Sequence, residues 1–195
     1  MYRELLLGCG HARDKRFNFL PTRCSDGWSN LTTLDHNPDV NPDIVWELNK
    51  FPWSIPGPAN VYGGWEPLAD NSFDEIHAYE VLEHLGQQGD ATSFFAHFSE
   101  IWRLLKPDGY LCATVPSRHS PWLWGDPSHR RAILPESLVF LDQSEYSSQL
   151  DGERVTSMSD FRNIYRADFR LCYANDDEEK FSFVLQAVKP ARISK

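Results

Sequence analysis

Gly8-Cys9-Gly10, the acids Asp35, Glu47, Glu80 and Asp126, and the imidazoles of His36, His84 and His129 are the residues of this chain whose types and spacing could do chemistry. Two glycines around a single residue, directly after "ELLL", let backbone lie close to a ligand because neither carries a Cβ. Asp35 ends the next apolar run, where a carboxylate can accept hydrogen bonds from both hydroxyls of a ribose. Without a ligand the same Gly-x-Gly is a tight turn, and the acid at the following strand end is what favours the ligand. A dinucleotide site would want a third glycine opening a helix over a pyrophosphate. That place holds Arg13, and the segment after Gly10 is polar and weakly periodic. The pattern points to a nucleoside without phosphates.

The second group lies far along the chain in "SRHSPWLWGDPSHRR", residues 117–131, which brings acid, imidazole, guanidinium and two tryptophans together. His129 is a candidate general base with Asp126 as the group that orients its ring, and His84 is the other candidate. The competing readings are a turn histidine satisfied by backbone and a helix-surface partner of Glu80. Trp122 and Trp124 could form an apolar wall between Pro121 and Pro127, which stiffen the segment. Arg118, His119, His129, Arg130 and Arg131 form either a basic patch for an acidic substrate or a solvated surface offsetting nearby acids.

These residues need elements to position them. Strands are expected at "ELLLGC", "SNLTTLD", "DIVWEL", "FDEIHAYEV" and "YLCATVP", with "EVLEHL" helical and a hairpin of "YRADFRLCYA" and "KFSFVLQAVK" near the end. From Asp90, a natural N-cap, to Lys106 a helix carries Phe94, Phe98, Ile101 and Leu105 on one stripe and stops at Pro107-Asp108-Gly109. Pro135 opens a short helix, and Asp142 with Glu145 suits the start of another. The expected fold is α/β, a Rossmann-like three-layer sandwich on a seven-stranded, mostly parallel sheet with a C-terminal antiparallel hairpin. Ligands of such sheets bind beyond the carboxyl ends of the strands, which is where Gly8, Asp35, Glu47, Glu80 and Ser117 fall.

With 195 residues and 41% hydrophobic content, the chain is expected to form one domain, 1–195. A net charge of -9 argues against tracking a phosphate backbone, so nucleic acid is an unlikely partner. Charged residues interrupt the N-terminal region and no long apolar run exists, so a cytoplasmic protein with no membrane span is expected. Cys9, Cys24, Cys112 and Cys172 are widely spaced, and neither disulfides nor a metal are expected.

"LLLGCG", "LTTLD", "PDIVWELNKFPW", "DNSFDEIHAYEVLEHL" and "WRLLKPDGYLCATVPS" occur in the order seen in class I S-adenosylmethionine-dependent methyltransferases of the type 11 group, which residues 3–116 resemble. A phage-type subgroup is suggested by "WGDPSHRR" and "AYEVLEHLGQQGD". The resemblance implies S-adenosyl-L-methionine as cofactor, with Gly8, Cys9 and Gly10 as its loop and Asp35, followed by His36, at the ribose. It further implies Glu47 and Leu48 beside adenine, and Tyr79, Glu80 and His84 near the methionine end. Leu6 stands where the family commonly has an acid, and Ala12 replaces the third glycine. These departures keep open a catalytically idle homologue that binds cofactor or a partner.

A sulfonium donor needs no metal, and a base is needed only for an un-ionised acceptor. The acceptor could be a small molecule, a sugar or a protein side chain, and the oligomeric state is left open. The Pro-Pro-aromatic and Pro-Cys elements of DNA methyltransferases are absent. Substrate could be covered by a lid loop at 54–70, carrying Tyr62 and Trp65, and by an insertion at 117–165; the alternative for the loop is that its aromatics pack back on the sheet.

Overall fold

The computed structural model describes residues 1–16, 27–57, 64–152 and 157–192. In chain order these form β1 (Glu4–Leu7), β2 (Leu31–Asp35), β3 (Ile44–Val45), β4 (Ser54–Pro56), β5 (Trp65–Pro67), β6 (Phe73–Tyr79), α1 (Ala91–Leu104) and β7 (Leu105–Pro116). They continue with α2 (Trp122–Gly125), α3 (Pro135–Val139), α4 (Gln143–Asp151), β8 (Phe169–Asp176) and β9 (Lys180–Ala187). A seven-stranded sheet runs β3-β2-β1-β6-β7-β9-β8. Its first five strands are parallel, and β9 is antiparallel to both neighbours. The mostly parallel sheet with a C-terminal antiparallel pair is the fold expected.

The sheet is buried on both faces, which is why β1 is apolar throughout its last three residues. Leu5 and Leu7 join Ile76, Ala78, Leu111, Val115, Phe181 and Phe183 in the main core. Phe95, Phe98, Ile101 and Leu104 of α1 close that core; of the expected stripe, Phe98, Ile101 and Leu105 are buried there and Phe94 packs against it, partly buried. Asp90 caps the helix by accepting from the Ser93 N–H at 3.0 Å. The helix ends at Leu104, two residues short of the expected Lys106, and Pro107-Asp108-Gly109 lies in a bulge inside β7. Leu105 pairs with Phe73 and the next register partner is Tyr110 with Glu75.

Two further expectations are corrected, and the 54–70 segment is described in part. β3 is two residues long, because the chain turns away at Trp46 and the Trp46 indole donates to the Lys50 carbonyl. "EVLEHL" is a single 3-10 turn at Leu82–His84, not a continuing helix, so His84 does not stack one turn from Glu80. Most of the described part of the expected lid is a β4–β5 hairpin, with Trp65 packed on Trp46 at 4.9 Å between ring centroids. Tyr62 and Cys24 lie outside the described residues.

The second face holds buried charge. Lys15 reaches Glu4 at 2.6 Å and Glu75 at 2.9 Å, and Glu75 also meets His77 and the Tyr2 hydroxyl. Burial works to raise the Glu75 pKa, but hydrogen bonds from His77, Tyr2 and Lys15 outweigh it and hold the carboxyl at about 2. The stability this contributes is full above the ordinary value of 4.5 and drains as pH falls towards 2. Lys15→Met leaves two buried carboxylates without their ammonium and should cost about 3–5 kcal/mol in urea unfolding at neutral pH. A loss under about 1 kcal/mol would mean the pair is not desolvated as described.

Candidate functional site

Parallel pairing sets Leu7 of β1 beside Leu34 of β2 and Ala78 of β6, so three strands end at one level. The residues just past these strands build the site. Gly8 has φ +55, and a Cβ there would lie 2.6 Å from Cγ2 of Val81. Only glycine lets the turn after β1 pass the segment after β6. Gly10 has φ +51 with open space where its Cβ would be. Its N–H donates to Asp35 Oδ2 at 2.9 Å, and the Asn37 N–H donates to Oδ1 at 2.9 Å. Asp35 thus ties the glycine turn to β2 while each oxygen keeps a further lone pair for a ligand.

A cavity of about 460 Å³ opens beyond these strand ends, lined by Gly8, Asp35, His36, Glu47, Leu48, Glu80 and His84 among others. His36 is largely exposed, with Nδ1 3.3 Å from Asp35. Glu47 accepts from the backbone N–H of Asn49 at 3.0 Å and from its side-chain amide at 2.9 Å, which holds its carboxyl below the usual range. Two expected residues stand elsewhere. Cys9 and Tyr79 pack in the second-face cluster with Leu6, and the Tyr79 hydroxyl lies 2.7 Å from His77 Nδ1. Strand alternation is the reason for Tyr79: positions 75, 77 and 79 share a face, and only after Tyr79 does the chain turn to the cavity.

That turn is Glu80, a non-glycine residue at φ +56 with a buried, unpartnered Oε1. Such backbone costs about 1–3 kcal/mol and persists where surrounding structure enforces it; here the Glu80 N–H donates to the Thr114 carbonyl at 2.8 Å. Glu80 also lines a second cavity of about 440 Å³, with Pro116, Ser120, Trp122, Asp126 and His129.

The two histidines meet, although 44 residues separate His84 from the neighbouring Ser128. Arg130 and Arg131 donate backbone N–H groups to the Glu83 carbonyl at 2.8 and 3.1 Å. The buried Arg131 guanidinium binds the carbonyls of Leu85 and Gln87, each at 2.8 Å. This stitching sets the His84 and His129 rings edge to face, 4.8 Å apart. His129 Nδ1 lies 3.2 Å from the Leu123 carbonyl, which can only accept, so that nitrogen carries the proton and Nε2 offers a lone pair.

Asp126 does not orient His129. Its Oδ2 is 3.9 Å from Nε2, beyond hydrogen-bond distance, and its Oδ1 accepts from the N–H and hydroxyl of Ser128. Of the two readings of the basic residues, a surface that offsets nearby acids fits Arg118. Arg118 pairs with Glu136 and Asp176, and Arg131 is structural. Both tryptophans are exposed, and of the two Trp122 lines the second cavity.

Glu83 is a site residue that spacing and type did not single out. Its side chain is 1% exposed, neither carboxylate oxygen has a hydrogen-bond partner, and burial pushes its pKa up to about 8, with Glu80 and Asp126 adding to the rise. A charged residue inside the apolar "VLEHL" was the available signal.

Residues 57–113 match the sequence profile of a methyltransferase domain family, a span that takes in β6, α1 and most of β7. No curated protein sequence matches the chain. Among solved structures, an S-adenosylmethionine-dependent methyltransferase from Archaeoglobus fulgidus superposes with a TM-score of 0.53 at 16% identity, over 95% of this chain and 86% of that one. A chain from the complex of the Haloferax volcanii Trm112 methyltransferase activator with a putative methyltransferase gives 0.52 at 15% identity, over 100% and 84%. The chain thus has the fold of these methyltransferases, and residues 57–113 carry the sequence profile of a methyltransferase domain. No helix among the described residues is long and apolar enough to cross a membrane.

Gly8→Ala should strain the turn and drive a methyl into Val81, lowering stability by about 1–3 kcal/mol in thermal or urea unfolding. A variant as stable as the parent would show that the turn has room the structure does not give it.

Proposed function

We propose that the protein binds S-adenosyl-L-methionine in the cavity between Gly8, Asp35 and Leu48 and transfers its methyl group to an acceptor held in the second cavity. The observation that carries this reading is the shared wall: Glu80 borders both cavities, with His84 facing one and His129 the other. Donor and nucleophile lined up across that wall need little more from the protein than alignment and exclusion of water. Asp35 would hold the ribose hydroxyls and Glu47 with Leu48 would flank the adenine. Glu80 would lie towards the methionine end. His84 and His129 are the groups that would meet the acceptor, with His129 the better placed. Glu80, Asp126 and Glu179 line the second cavity against Lys180, so a neutral or cationic acceptor suits it better than an anionic one.

Calorimetric titration with S-adenosylhomocysteine tests the donor half. Asp35→Ala should weaken binding at least about tenfold, or roughly 1.4 kcal/mol. Asp39→Ala, an exposed change in the following 3-10 turn, should leave it unchanged. Equal binding by parent and Asp35→Ala would remove the ribose assignment. With an acceptor in hand, His129→Ala should keep the parent's affinity for S-adenosylhomocysteine and lower turnover by about a hundredfold.

A further inference from the structure

The buried Glu83 carboxylate is hard to explain as a structural group. It has no hydrogen-bond partner among the described residues, and an unpaired carboxyl inside a protein is disfavoured. Two imidazoles face it, presented in the same manner. Nε2 of His84 and Nε2 of His129 each lie 4.0 Å from Glu83 Oε1. In both rings the opposite nitrogen is engaged by backbone: His129 Nδ1 with the Leu123 carbonyl at 3.2 Å, and His84 Nδ1 with the Ser128 carbonyl at 3.3 Å. Rings held through Nδ1 with both Nε2 atoms turned to one carboxylate oxygen have the arrangement in which outer contacts orient imidazoles towards a metal ion.

We propose that Glu83, His84 and His129 form a binding site for a divalent transition-metal ion at the boundary of the two cavities. The donor atoms of the three residues lie within 4.8 Å of one another. An ion with bonds of about 2.1 Å wants donors about 3.4 Å apart, so the imidazoles need to close on the carboxylate by about 0.6 Å and no donor pair by more than about 1.4 Å. Two imidazoles and one carboxylate favour zinc, cobalt, iron or manganese over magnesium or calcium, which prefer oxygen ligands. Three protein ligands leave positions open, as in sites that bind a substrate rather than close a fold. Asp126, with Oδ2 3.9 Å from His129 Nε2, stands near enough to act as a fourth ligand or to hold a bound water. The ion would explain both the unpartnered carboxylate and the meeting of two histidines from remote segments. In that role His129 would act on the acceptor through the ion, and the turnover lost in His129→Ala would include loss of the ion.

The test needs neither cofactor nor acceptor, so its failure would leave the methyltransferase reading untouched. Untagged full-length protein, stripped with a chelator and exchanged into metal-free buffer, is titrated by calorimetry with zinc, manganese and magnesium chlorides in turn. One zinc or manganese ion per chain is expected, with magnesium much weaker. His84→Ala, Glu83→Gln and His129→Ala should each lower affinity at least about tenfold while circular dichroism matches the parent. His84 is partly exposed and can be removed without opening the core, and Glu83→Gln removes a buried carboxyl, so neither depends on a fragile fold. Zinc should raise the melting temperature of the parent and not of the variants. No saturable uptake by the parent, or uptake equal in all three variants, overturns the site. Magnesium binding more tightly than zinc overturns the transition-metal assignment.

Discussion

The site depends on one stitch between remote segments. The carbonyl of Glu83 receives the N–H groups of Arg130 and Arg131, and the Arg131 guanidinium fills the carbonyls of the turn just beyond it. A charge-assisted donor satisfying several buried carbonyls is difficult to replace, because each would otherwise stand desolvated and unpaired. Through this contact the chain after β7 is fixed against the chain after β6. The wall between the two cavities and the pairing of His84 with His129 depend on it.

Beneath the stitch, the parallel sheet does what such sheets do for ligands. Five parallel strands end on one side, and the residues just past β1, β2 and β6 converge there. The turn after β1 needs Gly8 because Val81 is too close for a Cβ, and Asp35 anchors the turn through the Gly10 N–H. The carboxylate therefore acts twice, holding the loop through one lone pair and facing the cavity with another. This arrangement carries the binding reading despite Leu6 and Ala12, which depart from the family pattern. Leu6 is buried on the second face, away from the cavity.

The features legible in the sequence are those set locally. Apolar runs mark the strands, Asp90 marks the start of α1, and Gly8 with Asp35 marks the cavity beyond the strand ends. Side chains set by long-range contact are not legible in this way. The family resemblance puts Tyr79 at the cavity, yet strand alternation turns it to the opposite face. Spacing makes Asp126 the orienter of His129, and the Leu123 carbonyl has that place. Composition makes Arg131 surface charge, and it is a buried tie. Glu83 escapes notice because the geometry that isolates it comes from residues far along the chain. Pro107-Asp108-Gly109 has the composition of a helix stop, and only pairing with β6 makes it a bulge in β7.

The central claim is that the two cavities are the donor and acceptor halves of one methyl-transfer site. A crystal structure of the protein grown with S-adenosylhomocysteine addresses it most directly. The account predicts ribose density against the Asp35 carboxylate, adenine beside Leu48, and the thioether sulfur pointing past Glu80 towards the cavity that His129 lines. Nucleoside density elsewhere on the chain, or a sulfur pointing away from the second cavity, would contradict it.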